Sequence, residues 1–218
     1  MAMMFLELFV PRGAFTAADL SRLAERLTMR QLLTHVDALA DVVDGGEQAS
    51  ANPGVMDFVD SISHVVVHEI GTWIAGDRPL DSAGPPRYVA RAWVPGPWRK
   101  AMSAFLIASI TRALAQADPD PDRFYREPHV EVQVIGVPEG GYGAFGRVLR
   151  ESALLDMISE AKTAAPGPAA PGVLVDPVSG MAASAAVATL DHDGTTYGFC
   201  SPGCRRHFAD KLPRQASL

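Results

Sequence analysis

The sequence predicts an α+β protein. Two consecutive strand–helix–strand units share one four-stranded sheet with both helices on one face, and a small ββα module follows. Three observations predict it. First, His64-Val65-Val66-Val67-His68-Glu69-Ile70-Gly71 and His129-Val130-Glu131-Val132-Gln133-Val134-Ile135-Gly136 share the pattern His-Val-x-Val-x-x-Ile-Gly, so the chain repeats itself. Second, Ala164-Ala165-Pro166-Gly167-Pro168-Ala169-Ala170-Pro171-Gly172 has nothing to bury and reads as a linker. Third, the only two cysteines, Cys200 and Cys204, lie where a strand pattern gives way to a helix pattern. The boundaries that follow are a body over 1–160, a linker over 161–172 and a module over 173–218.

The first strand is predicted over Leu6-Glu7-Leu8-Phe9-Val10-Pro11-Arg12-Gly13. Its counterpart in the second unit is Val89-Ala90-Arg91-Ala92-Trp93-Val94-Pro95-Gly96. Both are short and rich in β-branched or aromatic residues, as strands are. A helix then opens at Thr16, an N-cap with Asp19 three residues on, and places Leu20, Leu23, Ala24 and Leu27 on one face. Gly45 to Asp60 reads as an insertion before the strand at His64. In the second unit the helix opens around Pro97, a residue suited to the first turn because its missing N–H would be unpaired anyway. Met102, Leu106, Ile110 and Leu114 follow at steps of four, with Phe105 and Ala113 beside them, until Asp118-Pro119-Asp120-Pro121 stops the helix. A strand–helix–strand unit makes its two strands parallel. Such a sheet leaves its other face bare. On the reading that Val65, Val67, Val130 and Val132 lie on that face, oligomerisation is expected to cover it.

The 218 residues are 48% hydrophobic and 20% charged, in keeping with a globular core. A net charge of −6 and a pI near 5.5 argue against a nucleic-acid surface, which needs clustered Lys and Arg. No run approaches 18 apolar residues, so no membrane span is expected. The start, Met1-Ala2-Met3-Met4-Phe5-Leu6-Glu7, lacks a basic leader segment, and a cytoplasmic location is the expectation. Cysteines there stay reduced or bind metal.

Chemistry concentrates at the C-terminus. Ser201 is a good N-cap and Pro202 a good first helical residue, so Cys204 falls in a first helical turn, where the helix dipole favours a thiolate. Cys200 and Cys204 form a half-site for zinc or for a soft ion such as Cu(I). Further candidate ligands are Asp176, His192 in the turn Asp191-His192-Asp193-Gly194, and His207, three residues past Cys204. A module held only by Met181, Tyr197, Phe199 and Phe208 is the alternative, and a redox thiol pair a third. In the body, Arg87 and Arg91 stand at i and i+4 on one side of one strand, where surface or inter-subunit salt bridges are the reading from position alone. His68 and Glu69 are adjacent and point to opposite faces.

Asp176-Pro177-Val178-Ser179-Gly180-Met181, followed by Gly198-Phe199-Cys200-Ser201-Pro202-Gly203-Cys204, resembles the YHS domain, a metal-associated module of the TRASH-like group. In that family the loop reads Asp-Pro-Val-Cys-Gly-Met, so Ser179 stands where the family has a cysteine. The tandem units, with Val10-Pro11 and Val94-Pro95 closing equivalent strands and Val137-Pro138 following in the second unit, resemble the tautomerase superfamily, the 4-oxalocrotonate tautomerase and macrophage migration inhibitory factor group, over roughly residues 4–148. The resemblance implies a trimer with sheets lining a central barrel, a catalytic N-terminal proline, and arginines that bind carboxylates, here Arg87 and Arg91. Met4 occupies the position of that proline, and Pro86, near the equivalent point of the second repeat, is internal. Proline chemistry is therefore not expected. The sequence favours a metal-associated accessory protein, a homotrimeric platform carrying a YHS module that binds zinc or copper, with no nucleotide cofactor. The alternatives are an isomerase acting on a small carboxylate without proline chemistry, and a non-catalytic interaction scaffold.

Overall fold

In the computed structural model, which describes residues 5–34, 52–80, 84–163, 174–183 and 188–212, the two repeats build one sheet. β1 (Phe5–Pro11) pairs in parallel with β2 (His64–Ile70), and β5 (Tyr88–Pro95) pairs in parallel with β6 (Val130–Val137). β1 and β5 join the two units in antiparallel register, giving the order β2-β1-β5-β6. The predicted pairing of each strand–helix–strand unit is therefore observed.

One sheet face is covered by α1 (Ala17–Arg26) and α4 (Arg99–Ala115). Thr16 caps α1 as the sequence predicts: its side chain accepts from the Asp19 N–H, and the Asp19 carboxylate accepts from the Thr16 N–H. Leu23 and Leu27 from this end of the chain, and Leu106, Ile110 and Leu114 from α4, meet Leu6, Leu8, Val10, Ala90, Ala92 and Val94 of the sheet in one cluster. The small Ala90 and Ala92 let α4 sit close to the sheet. Pro97 lies in a 3₁₀ turn, Gly96–Trp98, that leads into α4 rather than in the α-helix itself.

The covered face corrects one expectation. Leu6 and Leu8 stand opposite Val65 and Val67, and Tyr88 and Ala90 opposite Val130 and Val132, so these four valines belong to the helix-covered face. The open face carries Phe5, Glu7 and Phe9, with Val66, His68, Arg91, Trp93 and Gln133 beside them. It mixes polar and aromatic side chains with the aliphatic Val66, Val89 and Ile135. Trp93 Nε1 donates to Glu7 at 2.8 Å, Arg91 Nε donates to Gln133 at 3.1 Å, and the Arg91 guanidinium lies 5.0 Å from the Phe9 ring centre. Phe9 in turn stacks on His68 at 4.7 Å.

Elements absent from the sequence reading fill in the rest. α2 (Met29–Thr34) follows α1, and α3 (Pro53–Ile62), capped by Asn52, occupies the end of the expected insertion. Each repeat ends in a two-residue hairpin: β3 (Ile74–Ala75) with β4 (Arg78–Pro79), and β7 (Gly143–Ala144) with β8 (Arg147–Val148). α5 (Arg123–Arg126) precedes β6, and α6 (Glu151–Glu160) buries Leu154, Leu155 and Ile158.

The C-terminal module consists of β9 (Leu174–Val175) paired with β10 (Ala182–Ala183), the hairpin of β11 (Thr189–His192) and β12 (Thr195–Gly198), and α7 (Pro202–Lys211). The hairpin and helix match the predicted ββα plan. Its buried Val178, Phe199 and Cys204 are continuous with the core of the body. Met4 and the Ala164–Gly172 stretch lie outside the described residues. Among the described residues no helix is long and apolar enough to cross a membrane.

Candidate metal centre

The loop before β10 and the start of α7 converge on one buried point. Asp176, fully buried, organises it: Oδ1 accepts from the N–H of Val178 at 2.8 Å and of Ser179 at 3.3 Å, and Oδ2 accepts from the N–H of Cys200 at 2.9 Å. One carboxylate thus fastens the Asp-Pro-Val loop to the strand that delivers Cys200. Gly180 turns the loop with φ near +67°, a conformation that favours glycine. Ser201 caps α7 by accepting from the Cys204 N–H at 3.1 Å, and Pro202 follows, as the sequence predicts.

This frame sets the Cys200 and Cys204 sulfurs 3.7 Å apart and the Ser179 Oγ 3.3 Å from Cys200 Sγ. Two metal–sulfur bonds of about 2.3 Å at a tetrahedral angle place sulfurs roughly 3.8 Å apart, so the pair is spaced as zinc ligands are. The ligand atoms of Asp176, Cys200 and Cys204 all fall within 4.8 Å of one another. Two thiols with an oxygen donor beside them suit zinc, and thiols suit Cu(I). The donor set fits the group.

The two sulfurs are not equivalent. The hydrogen bond from Cys204 pulls the Cys200 pKa down against the effect of its burial. Cys204 is pushed strongly up, by that same bond and by burial.

Of the other predicted ligands, His192 sits beside Asp193 at 3.3 Å in the hairpin turn, where Asp193 and Gly194 both take positive φ. His207 is buried but not in the group around the sulfurs. Its Nε2 lies 3.3 Å from Asp156 of α6, without the alignment of a hydrogen bond, and burial holds its pKa down. Ser179, read from sequence as a lost ligand, instead hydrogen-bonds Cys200 and the Met181 N–H.

The module is moored to the body by contacts that the sequence reading did not foresee. Trp98 Nε1 donates to Glu151 at 2.8 Å, and Arg206 of α7 lies 3.6 Å from the same carboxylate. A Cβ on Gly203 would come within 2.9 Å of the Glu151 Oε1 that accepts from Trp98. Lys162 donates to the Pro177 carbonyl, and Lys211 pairs with Asp156. Asn52 accepts from the Gly54 and Thr163 N–H groups, tying α3 to the end of α6. Apart from the Asn52 cap on α3, these contacts join residues well separated in sequence, and no local pattern announces them.

In the body, Arg87 donates to the Pro128 carbonyl at 3.4 Å, while Arg91 is engaged by Gln133 and Phe9 on the open face. Pro86 is internal, and its carbonyl accepts from Arg123 at 3.0 Å. Arg123 is buried against Asp118 at 2.6 Å and against His129 Nδ1 at 2.7 Å. Burial and that guanidinium together lower the His129 pKa. At the other end of β5, Phe5, His64, Trp93 and Tyr142 line an apolar cavity of about 300 Å³.

No family model and no curated protein matches the chain. Solved structures similar to it include a fused 4-OT wild type asymmetric trimer, at 16% identity over 66% of this chain and 94% of that one, with a TM-score of 0.42. A member of the cis-3-chloroacrylic acid dehalogenase (cis-CaaD) family is 14% identical over 66% of this chain and 82% of its own, with a TM-score of 0.44. A macrophage migration inhibitory factor-like protein from Entamoeba histolytica is 9% identical over 67% and 99%, with a TM-score of 0.41.

Proposed function

We propose that the protein is a metal-associated accessory protein in which Cys200 and Cys204 hold one zinc or copper ion at the start of α7. The observation that carries this reading is the 3.7 Å spacing of the two sulfurs on a loop fastened by Asp176. Asp176 positions the site through the backbone, and the Ser179 hydroxyl offers an oxygen beside Cys200. A bound ion supplies a Lewis-acidic or soft-metal centre. The chain's own part is to present the two sulfurs and to back them with Val178 and Phe199, both buried.

The body serves in this reading as a homo-oligomeric platform of tautomerase-like fold. Phe5 and Val66, 40% and 36% exposed, and the half-buried Phe9 and Trp93 give the open sheet face an apolar share suited to contact with further copies. A catalytic N-terminal proline has no part in it.

Elemental analysis of protein purified without an affinity tag or chelator tests the proposal. About one zinc or copper per chain is expected, and none in the Cys200→Ser/Cys204→Ser variant. Metal-free protein whose two thiols both titrate freely would overturn it.

A further inference from the structure

A second site lies where the body and the module meet. The start of α4, α2 and the start of α7 enclose a groove of about 640 Å³, within the roughly 300–1,000 Å³ range of small-molecule sites. Its walls are apolar: Met29 and Leu33 come from α2, Met102 and Phe105 from α4, and Met181 and Pro202 from the module. Three charged side chains also line it, Lys100, Arg206 and Glu151. Glu151 already accepts from Trp98 and lies beside Arg206, so its charge is matched from within the protein. Lys100, exposed on α4, leaves the groove with a surplus of positive charge.

The groove is also the opening onto the sulfur cluster. Asp176, Ser179 and Cys204 are fully buried, whereas Cys200 is partly exposed and is the member of the cluster that lines the groove. Cys200 is thus part of the wall that an occupant meets.

We propose that this groove binds a small organic anion with an apolar body, such as a medium-chain carboxylate, its hydrocarbon part against Met102 and Phe105 and its charged end toward Lys100 and Arg206. An apolar wall with a few placed charges is how such sites combine affinity with orientation. Burying the hydrocarbon against the apolar wall supplies affinity, and the cations supply discrimination. The site is formed by side chains of both regions, so ligand binding couples the module to the body. It does not require an ion on the sulfurs.

The test is calorimetric titration of the full-length protein, as purified, with octanoate and with 1-octanol, followed by the same titrations on two variants. Saturable binding of one octanoate per chain is expected, at least tenfold tighter than the alcohol. Lys100→Ala/Arg206→Ala should cost octanoate at least tenfold and leave 1-octanol unchanged. Ala101→Trp, which adds bulk to the groove wall, should abolish both; if that variant does not fold, the double-alanine variant decides. No saturable octanoate binding, equal affinity for acid and alcohol, or undiminished octanoate binding by the double-alanine variant would overturn the proposal. Metal content does not enter this readout, so its failure and that of the metal reading are separate events.

Discussion

The sheet body and the C-terminal module solve the same problem with different materials. In the body, Leu6, Leu8 and Val10 alternate inward and meet Leu106, Ile110 and Leu114 of α4, so order comes from apolar surface withdrawn from water. In the module, Val178 and Phe199 supply a thinner apolar core, and a single carboxylate, Asp176, takes three backbone N–H groups to fix the loop that faces Cys200 and Cys204. The difference shows how a loop with little apolar surface of its own is fixed by a satisfied polar hub while its neighbours join the core of the body. Such a hub is unforgiving, because each orphaned donor in a buried place costs about 1–3 kcal/mol.

The comparison can be broken at either end. Asp176→Ala would orphan three buried donors, and its expected cost is about 3 kcal/mol or more, confined to the module. Hydrogen exchange should show amide protection lost over residues 174–183 and 188–212 and retained over β1 and β5; uniform loss would mean that the two regions unfold as one. Leu106→Ala should cost about 2–5 kcal/mol and lower the unfolding midpoint of the body, with the cavity it leaves setting the value within that range. A variant at either site that changes nothing would contradict the assignment of its region.

A smaller effect separates the two regions by pH. His129 in the body and His207 in the module both have lowered pKa values, each chiefly through burial. A lowered imidazole pKa means that the unfolded chain takes up the proton first as pH falls. The contribution is therefore complete above the unfolded value near 6.5 and is lost progressively below it. His129 faces Arg123 and Glu127, with Asp118 beside that arginine, while His207 faces Asp156, Lys211 and Asp210. Thermal midpoints should fall between pH 6.5 and 5, and the slope should flatten in His129→Gln and His207→Gln. An unchanged slope in both would show that neither imidazole is held neutral.

Much of this was readable in the chain. The duplicated His-Val-x-Val-x-x-Ile-Gly pattern gave the strand pairing, and Thr16 with Asp19 gave the start of α1, because capping and strand alternation are local. The Cys200–Cys204 spacing with Ser201 and Pro202 placed the sulfurs at a helix start for the same reason. The facing of β6 was readable, because Val130, Val132 and Val134 alternate with Glu131 and Gln133, but the facing of β2 was not. Val65, Val66 and Val67 are apolar at both parities, so only pairing against the cleanly alternating Leu6 and Leu8 decides which side is covered. α3 and α6 did carry signals: Asn52 before Pro53, and Leu154, Leu155 and Ile158 at helical spacing. The Trp98–Glu151–Arg206 mooring and the enclosure of Asp176 by backbone donors depend on tertiary packing, which no spacing encodes.

X-ray absorption at the metal edge of the untagged protein tests the sulfur pair most directly. The account predicts a sulfur shell of two scatterers at about 2.3 Å, completed by lighter oxygen or nitrogen neighbours if the ion is zinc. A bound ion with only oxygen and nitrogen neighbours would contradict it.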